Sequence, residues 1–174
     1  KALDKEIASE TFDLKLGIGV HYGHLELGVV GEEYRWDSSI IADAVNTASR
    51  VEGLTKSFGA EILVTDAVIN TLENKSKFRY RRLGKVRVKG RSKKVSLYEI
   101  LDSLSGEPLD KRFSTRDLFE SALSAYEENH HEEARVLFED ILQTNPGDAA
   151  ATFYLQRLLN PLESTMKIMS SYLR

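Results

Sequence analysis

The stretch RWDSSIIADAVNTASRVEG, residues 35–53, places apolar side chains at helical spacing. Ile40, Ile41, Ala44, Val45, Ala48 and Val51, continued by Leu54, fall on one side, and Asp43, Asn46, Arg50 and Gly53 on the other. The spacing predicts a helix over about residues 38–57 that stops at Phe58-Gly59, with glycine as the left-handed cap. Asn46 and Arg50 are in an i, i+4 relation, so an amide and a guanidinium leave one helix face and can reach one ligand together. The same spacing also describes a plain solvated helix face, and the surrounding sequence must decide between the two.

Before this stretch, Leu14, Leu16, Ile18 and Val20 alternate with Lys15, Gly17, Gly19 and His21, the period of a half-buried strand. Tyr22-Gly23-His24 reads as a tight turn, and Leu25, Leu27 and Val29 resume the alternation, so 14–30 is predicted as an antiparallel hairpin. Residues 2–10 read as the tail of a helix with nothing before it to pack on, the mark of a partial domain or a fragment of a longer polypeptide. After it, Glu61–Thr65 is a short strand and Asp66 can cap a helix to about Asn74. Strands near 78–88 and 95–101 follow, separated by Gly90-Arg91-Ser92. The order strand, strand, helix, strand, helix, strand, strand gives an α+β class with a largely antiparallel sheet over residues 1–102.

Ser103–Pro108 has the composition of a linker, which we extend over 103–114. Beyond it, 115–174 reads as an all-α tail. Residues 116–128 and 132–144 are amphipathic and meet at Asn129-His130. Asn-Pro-Gly-Asp (145–148) ends the second helix, a third runs over about 149–159, and Pro161 breaks it before a polar helix or frayed end.

A chain of 174 residues with 41% apolar and 29% charged residues is ordinary for a soluble globular protein. It contains no run near the roughly 18 apolar residues of a membrane span. Its first residues, KALDKEIASETF, look neither like a signal peptide nor like a transit sequence. Without cysteine there is no disulfide, thiolate metal site or cysteine nucleophile, and a reducing, cytoplasmic setting fits. Four histidines without metal spacing give no zinc site, and His21 is expected to be structural.

The net charge of −3 hides an asymmetry: residues 75–94 hold 11 of the 24 Lys and Arg and no acid, leaving 13 cations against 27 acids elsewhere. Such a block points to a specific anionic partner. Lys85, Arg87 and Lys89 alternate with Val86 and Val88 near Phe78 and Tyr80, a pattern that would also suit a nucleic-acid platform. The acidic remainder repels a long polyanion, whereas a triphosphate needs only a small positive site, so nucleic acid is not the expected partner. Gly17, Gly19 and Gly23 have the wrong spacing for a dinucleotide loop and precede a hairpin instead of a helix.

Three separated segments, LKLGIGVHYGHLELGVVG, DSSIIADAVNTASRVEGLTKSFGAEILVTDAV and VRVKGRSKKVSLYEI, occur in order over about residues 12–101. Together they resemble the second half of a class III nucleotide (adenylate/guanylate) cyclase catalytic domain, and the fold this implies is part of a ferredoxin-like layer. The resemblance implies formation of cyclic AMP or cyclic GMP by in-line attack of the ribose 3′-hydroxyl on the α-phosphate, with loss of pyrophosphate. Asn46 matches the residue that orients the ribose, and Arg50 the arginine that stabilises the transition state. Lys89, in Val-Lys-Gly, matches the lysine on the β- and γ-phosphates, and Ser39 the residue that reads the base edge. Magnesium or manganese is implied, yet no segment matches the family's pair of metal-binding aspartates, and Ala42 replaces a usual glycine. The family builds its site at a dimer interface, so a homodimer mate or a complementary cyclase chain is the expected partner, the metal ligands are expected outside this chain, and ATP and GTP both stay open as substrate. A catalytically inactive cyclase-like module for dimerisation or protein docking is the alternative.

The segment ALSAYEENHHEEARVLFEDILQTNPGDAAATFYL resembles one tetratricopeptide repeat, with Ala122, Ala125, Ala134, Phe138 and Pro146 on the family's small, aromatic and proline positions. Asn129 takes the place of a turn glycine. A lone repeat must pack on neighbours, so the tail is expected to cover the sheet or to dock a protein partner.

Overall fold

Ser38–Ile41 belong to a strand, and helix formation starts only at Asp43. The computed structural model describes residues 16–32, 35–41, 43–87 and 94–160. The helix read for 2–10, the separator at 90–92, and the segment after Pro161 lie outside them. Strand β1 is Ile18–Val20, β2 is Glu26–Glu32 and β3 is Arg35–Ile41. Helix α1 spans Asp43–Gly53, and the short α2 spans Thr55–Phe58. Then come β4 (Ile62–Thr65), α3 (Asp66–Thr71), β5 (Tyr80–Arg87) and β6 (Lys94–Ile100). Four helices complete the described chain: α4 (Gly106–Ser114), α5 (Arg116–Glu127), α6 (His131–Thr144) and α7 (Ala149–Leu159).

Two expectations for the first half need correction. The antiparallel hairpin lies at 26–41, not at 14–30: β2 pairs with β3 from Glu26↔Ile41 to Glu32↔Arg35. That continuous ladder satisfies backbone groups that a helix from residue 38 would have had to satisfy alone, and the β-branched Ile40 and Ile41 suit a strand equally well. Secondly, β1 pairs in parallel with β4, Ile18 opposite Ile62 and Val20 opposite Val64. A parallel pair requires a crossover, and α1 within it packs on both strands. The four-stranded sheet, in order β1-β4-β6-β5, is therefore mixed, with its other two pairings antiparallel.

Local chemistry sets several ends. Gly59 closes α2 at φ 57°, as the sequence predicts. Asp66 Oδ1 accepts from the Ala67 amide at the start of α3, which ends at Thr71, short of Asn74. Within 103–114, read as linker, α4 begins at Gly106. Its Pro108 falls in the first turn, where a missing N–H costs nothing, so a composition resembling a linker is here a helix start. Among the described residues no helix is long and apolar enough to cross a membrane.

The tail helices α5–α7 share one core with the sheet. Leu83 and Leu97 of the sheet and Phe58 of α2 join Phe119, Leu123, Phe138, Ile141 and Tyr154 in a single buried cluster. Gly84 sits at φ 102° at an irregularity in β5, and a Cβ there would run into the Tyr154 hydroxyl. The missing side chain lets Tyr154 Oη donate to Leu83 O at 2.5 Å. The Tyr154 ring stacks on Phe138 at 5.3 Å between centroids.

Charge is buried at the same seam. Arg81 Nε donates to Glu99 Oε2 at 2.6 Å, and its Nη1 and Nη2 donate to the two oxygens of Asp148 at 2.6 and 3.1 Å. Asp148 also caps α7, accepting from the Ala150 and Ala151 amides. Side-chain exposure is 1% for Arg81 and Glu99 and 0% for Asp148. Burial pushes the Asp148 carboxyl up, but the Arg81 charge and hydrogen bonds, the Ala151 amide and Arg112 outweigh it and hold the group below its ordinary value.

Removing one member of a buried ionic set strands the others, so Asp148→Ala should cost about 3–5 kcal/mol in urea unfolding. A loss within about 1 kcal/mol, the worth of a surface pair, would contradict this. A depressed carboxylate adds stability above its unfolded pKa of about 3.9 and loses it as pH falls through the lower folded value. The acid limb of the urea midpoint against pH should therefore be shallower in Asp148→Asn than in the parent.

Candidate functional site

Helix α1 buries one side and carries exposed and half-buried residues on the other. Thr47 and Val51 are buried, with Ala44, Ala48 and Leu54 half-buried beside them. Thr47, polar and unassigned by the apolar pattern, returns its hydroxyl to Asp43 O at 2.7 Å and so can face inward. Val45, expected on the inner side, is 45% exposed. The close contact comes from β1: a Cβ on Gly19 would lie 2.6 Å from both Ala48 O and Glu52 Cα. The glycine thus serves strand-to-helix approach instead of a turn. His21 at the end of β1 shares a 2.9 Å hydrogen bond between Nδ1 and Thr65 Oγ1, tying β1 to the end of β4.

On the open side Asn46 is exposed and Arg50 half-buried, one turn apart on α1 as their spacing requires. Arg50 stands in the last turn, where a cation meets the negative end of the helix dipole. An amide that can donate and accept, next to a guanidinium that stays charged, suits a hydroxylated, phosphorylated ligand. Ser39 lies in β3 opposite Gly28, in the strand that leads into α1. The coordinates bring Asn46 and Arg50 together on one element and put Ser39 on the preceding one. Lys89 lies outside the described residues.

The basic block behaves differently from expectation where it is described. Arg79 pairs with Asp102 at 2.7 Å, and Arg81 with Glu99 and Asp148. Arg82 pairs with Glu120 and Glu127 at 2.9 Å, and Lys85 lies 4.0 Å from Glu127. These cations serve the protein's own acids before any external anion. A hollow of about 620 Å³ opens between β5, β6 and α5, and its lining includes Arg79, Tyr80, Arg82, Tyr98, Arg116 and Glu120. Neither Asn46 nor Arg50 borders it.

Among the described residues no group of three or more His, Asp or Glu side chains is placed to hold a metal ion. Sequence reading missed Arg112, which is 12% exposed, donates to Glu99, and at 2.8 Å donates to Gly59 O beyond α2. An arginine inside a supposed linker carried no signal of that role.

The family of adenylate and guanylate cyclase catalytic domains matches residues 1–102. An adenylate cyclase of Anabaena cylindrica is 46% identical over 88 residues, 50% of this chain and 18% of that protein. The adenylate cyclase, terminal-differentiation specific, of Dictyostelium discoideum is 30% identical over 155 residues, 87% of this chain and 7% of that protein. A match of that extent necessarily crosses residue 102 and takes in tail helices. The crystal structure of the adenylyl cyclase CyaB from P. aeruginosa covers 61% of this chain and 50% of its own, at 26% identity and a TM-score of 0.44. The chain spans less than a fifth of the length of these two curated relatives.

Because β1 meets the α1 backbone through Gly19, Gly19→Val should destabilise by about 1–3 kcal/mol through overpacking. Thermal melting compares the two proteins, and an unchanged midpoint would mean that strand and helix are not in contact.

Proposed function

The chain belongs to the adenylate and guanylate cyclase catalytic-domain family, and from this we propose that it supplies half of a site that cyclises ATP or GTP at an interface with a second cyclase chain. The observation that supports this reading is the pair Asn46 and Arg50 on the open face of a helix whose other face is locked to the sheet. A rigid platform keeps donors aimed without reorganisation at the moment of reaction, which is where electrostatic catalysis gains most.

In this reading the ribose 3′-hydroxyl attacks the α-phosphate in line and pyrophosphate leaves. Charge grows on the phosphoryl oxygens as the bonds exchange. Arg50 faces that charge and Asn46 holds the ribose by its amide. Lys89 anchors the β- and γ-phosphates as a compact ammonium, and Ser39 meets the base edge. Magnesium or manganese supplies Lewis-acid neutralisation of phosphate charge in such enzymes, and its carboxylate ligands belong to the complementary chain.

A second observation agrees with an interface. Strand β1 is an edge of the described sheet; its Ile18 and Val20 are 43 and 38% exposed, and Leu16 and Tyr22 just before and after it 69 and 65%. An apolar edge of this kind is a surface for pairing with further protein. For the tail, burial of Ala122, Ala125, Ala134 and Phe138 fits the small and aromatic positions of a tetratricopeptide unit. In this proposal the unit uses that side on its own sheet and keeps its outer face for a protein partner.

The test is cyclic nucleotide formation from ATP and GTP with manganese, by the chain assembled with one that carries the metal carboxylates. Arg50→Ala should lower kcat by about 10²-fold or more, whereas Lys89→Ala should act mainly through KM. Equal turnover by the Arg50→Ala protein would sink the role given to Arg50, and no cyclic nucleotide from either substrate would leave the inactive docking module in its place.

A further inference from the structure

The helix that carries Asn46 and Arg50 does not end in solvent. It runs through Leu54 into α2, with Leu54 N donating to Val51 O and Phe58 N to Leu54 O. The end of α2 is enclosed by the tail. Phe58 is 1% exposed, its ring centroid 4.8 Å from Phe153 and 6.4 Å from Tyr154, both on α7. Ala149, the first residue of α7, lies so close over Gly59 that a Cβ there would come within 2.7 Å of it.

Helix α4 adds a polar tie at the same place. Arg112 Nη2 donates to Gly59 O at 2.8 Å, while Nη1 of the same guanidinium donates to Glu99 Oε1. The other Glu99 oxygen accepts from Arg81, which grips Asp148 at the head of α7. One planar guanidinium thus joins the carbonyl just beyond α2 to a carboxylate fixed in the sheet. A lysine could reach one of these acceptors but not both in this geometry.

We propose that Arg112 is a positioning residue for the site helix: with Phe58 packed between α2 and α7, it sets the axial position and tilt of α1, and so of Asn46 and Arg50. This proposal rests on the cyclase reading of those two residues. Losing Arg112 leaves the Arg81 bonds to Glu99 and Asp148 in place, takes the cation from Glu99 Oε1, and frees Gly59 O, which lies at an exposed residue that water can serve. Arg112→Ala therefore combines a loss of stability with the release of the helix end, whereas Arg112→Lys keeps a cation for Glu99 and removes the second tie, so it isolates the positioning effect. Small misplacement of an aimed group is costly in catalysis, up to about 10²-fold for roughly 1 Å.

Two measurements on Arg112→Ala and Arg112→Lys test it, made on the assembled protein with Arg50→Ala alongside. Amide hydrogen exchange over Ala48–Gly53 should quicken by about tenfold in Arg112→Ala. In turnover, kcat should fall by about tenfold with KM within about twofold of the parent, and Arg112→Lys should lie between in both. Faster exchange confined to α4, with α1 unchanged, overturns the proposal. So does an unchanged kcat for Arg112→Ala in a protein that Arg50→Ala impairs. If α1 exchange responds to Arg112→Ala but Arg50→Ala turns over normally, the mechanical tie stands and the cyclase reading falls.

Discussion

Three charged side chains, Arg81, Glu99 and Asp148, sit out of water where the sheet meets the tail. Each would be intolerable there alone, because the desolvation of an isolated ion far exceeds what nearby apolar contacts return. Their mutual bonds make burial tolerable only if β5, β6 and the head of α7 keep one arrangement. Asp148 binds that arrangement into backbone structure as well, since the carboxylate that holds Arg81 also caps α7. The Tyr154 hydroxyl on Leu83 O and the rings packed around it hold the same seam by close contact. The ionic set adds directional bonds to that packing.

The same seam explains the charge distribution of the sequence. A block of cations in an acidic chain reads as a receptor for an external anion, and part of the block is used differently. Arg79, Arg81 and Arg82 meet Asp102, Glu99, Asp148, Glu120 and Glu127. Four of those acids, all but Asp102, are spent on matching sheet to tail or strand to strand, and three of them lie on or beside tail helices. The asymmetry is to that extent a folding code, positive strand against negative helices. Lys89 lies outside the described residues, and the triphosphate is its proposed partner.

Periodicity alone gave the tail well: the spacing in 116–128, 132–144 and 149–159 corresponds to α5, α6 and α7 within a residue or two. Local contacts dominate there, so local sequence suffices. It misassigned the pairing at 14–41, where one strand pairs far along the chain and the other two form a local hairpin. Alternating apolar residues in 14–20 cannot say whether the mate is β2, nearby in sequence, or β4, some forty residues on. Ile40 and Ile41 fit a helix stripe and a strand equally, and only the ladder with β2 decides. For the site, the i, i+4 relation of Asn46 and Arg50 was legible because it is a property of one helix. Arg112 was not, because its role exists only once α4, β6 and the end of α2 have met.

That contrast bears on what the tail is. A residue pattern divides the chain near 102, yet the buried cluster does not divide: Phe58, Leu83 and Leu97 have tail residues in the same core. Parting the two would return these side chains to water at roughly 1.5–3 kcal/mol each and would separate Arg81 from Asp148. The sheet therefore requires the helices as its second layer, in the way any α+β sheet requires cover on its apolar face. A layer needed for folding that also encloses the end of the helix bearing Asn46 and Arg50 cannot be mechanically silent. Whatever displaces α7 must either carry α2, and with it the face of α1, or break the contact at Phe58 and release α2 from the tail.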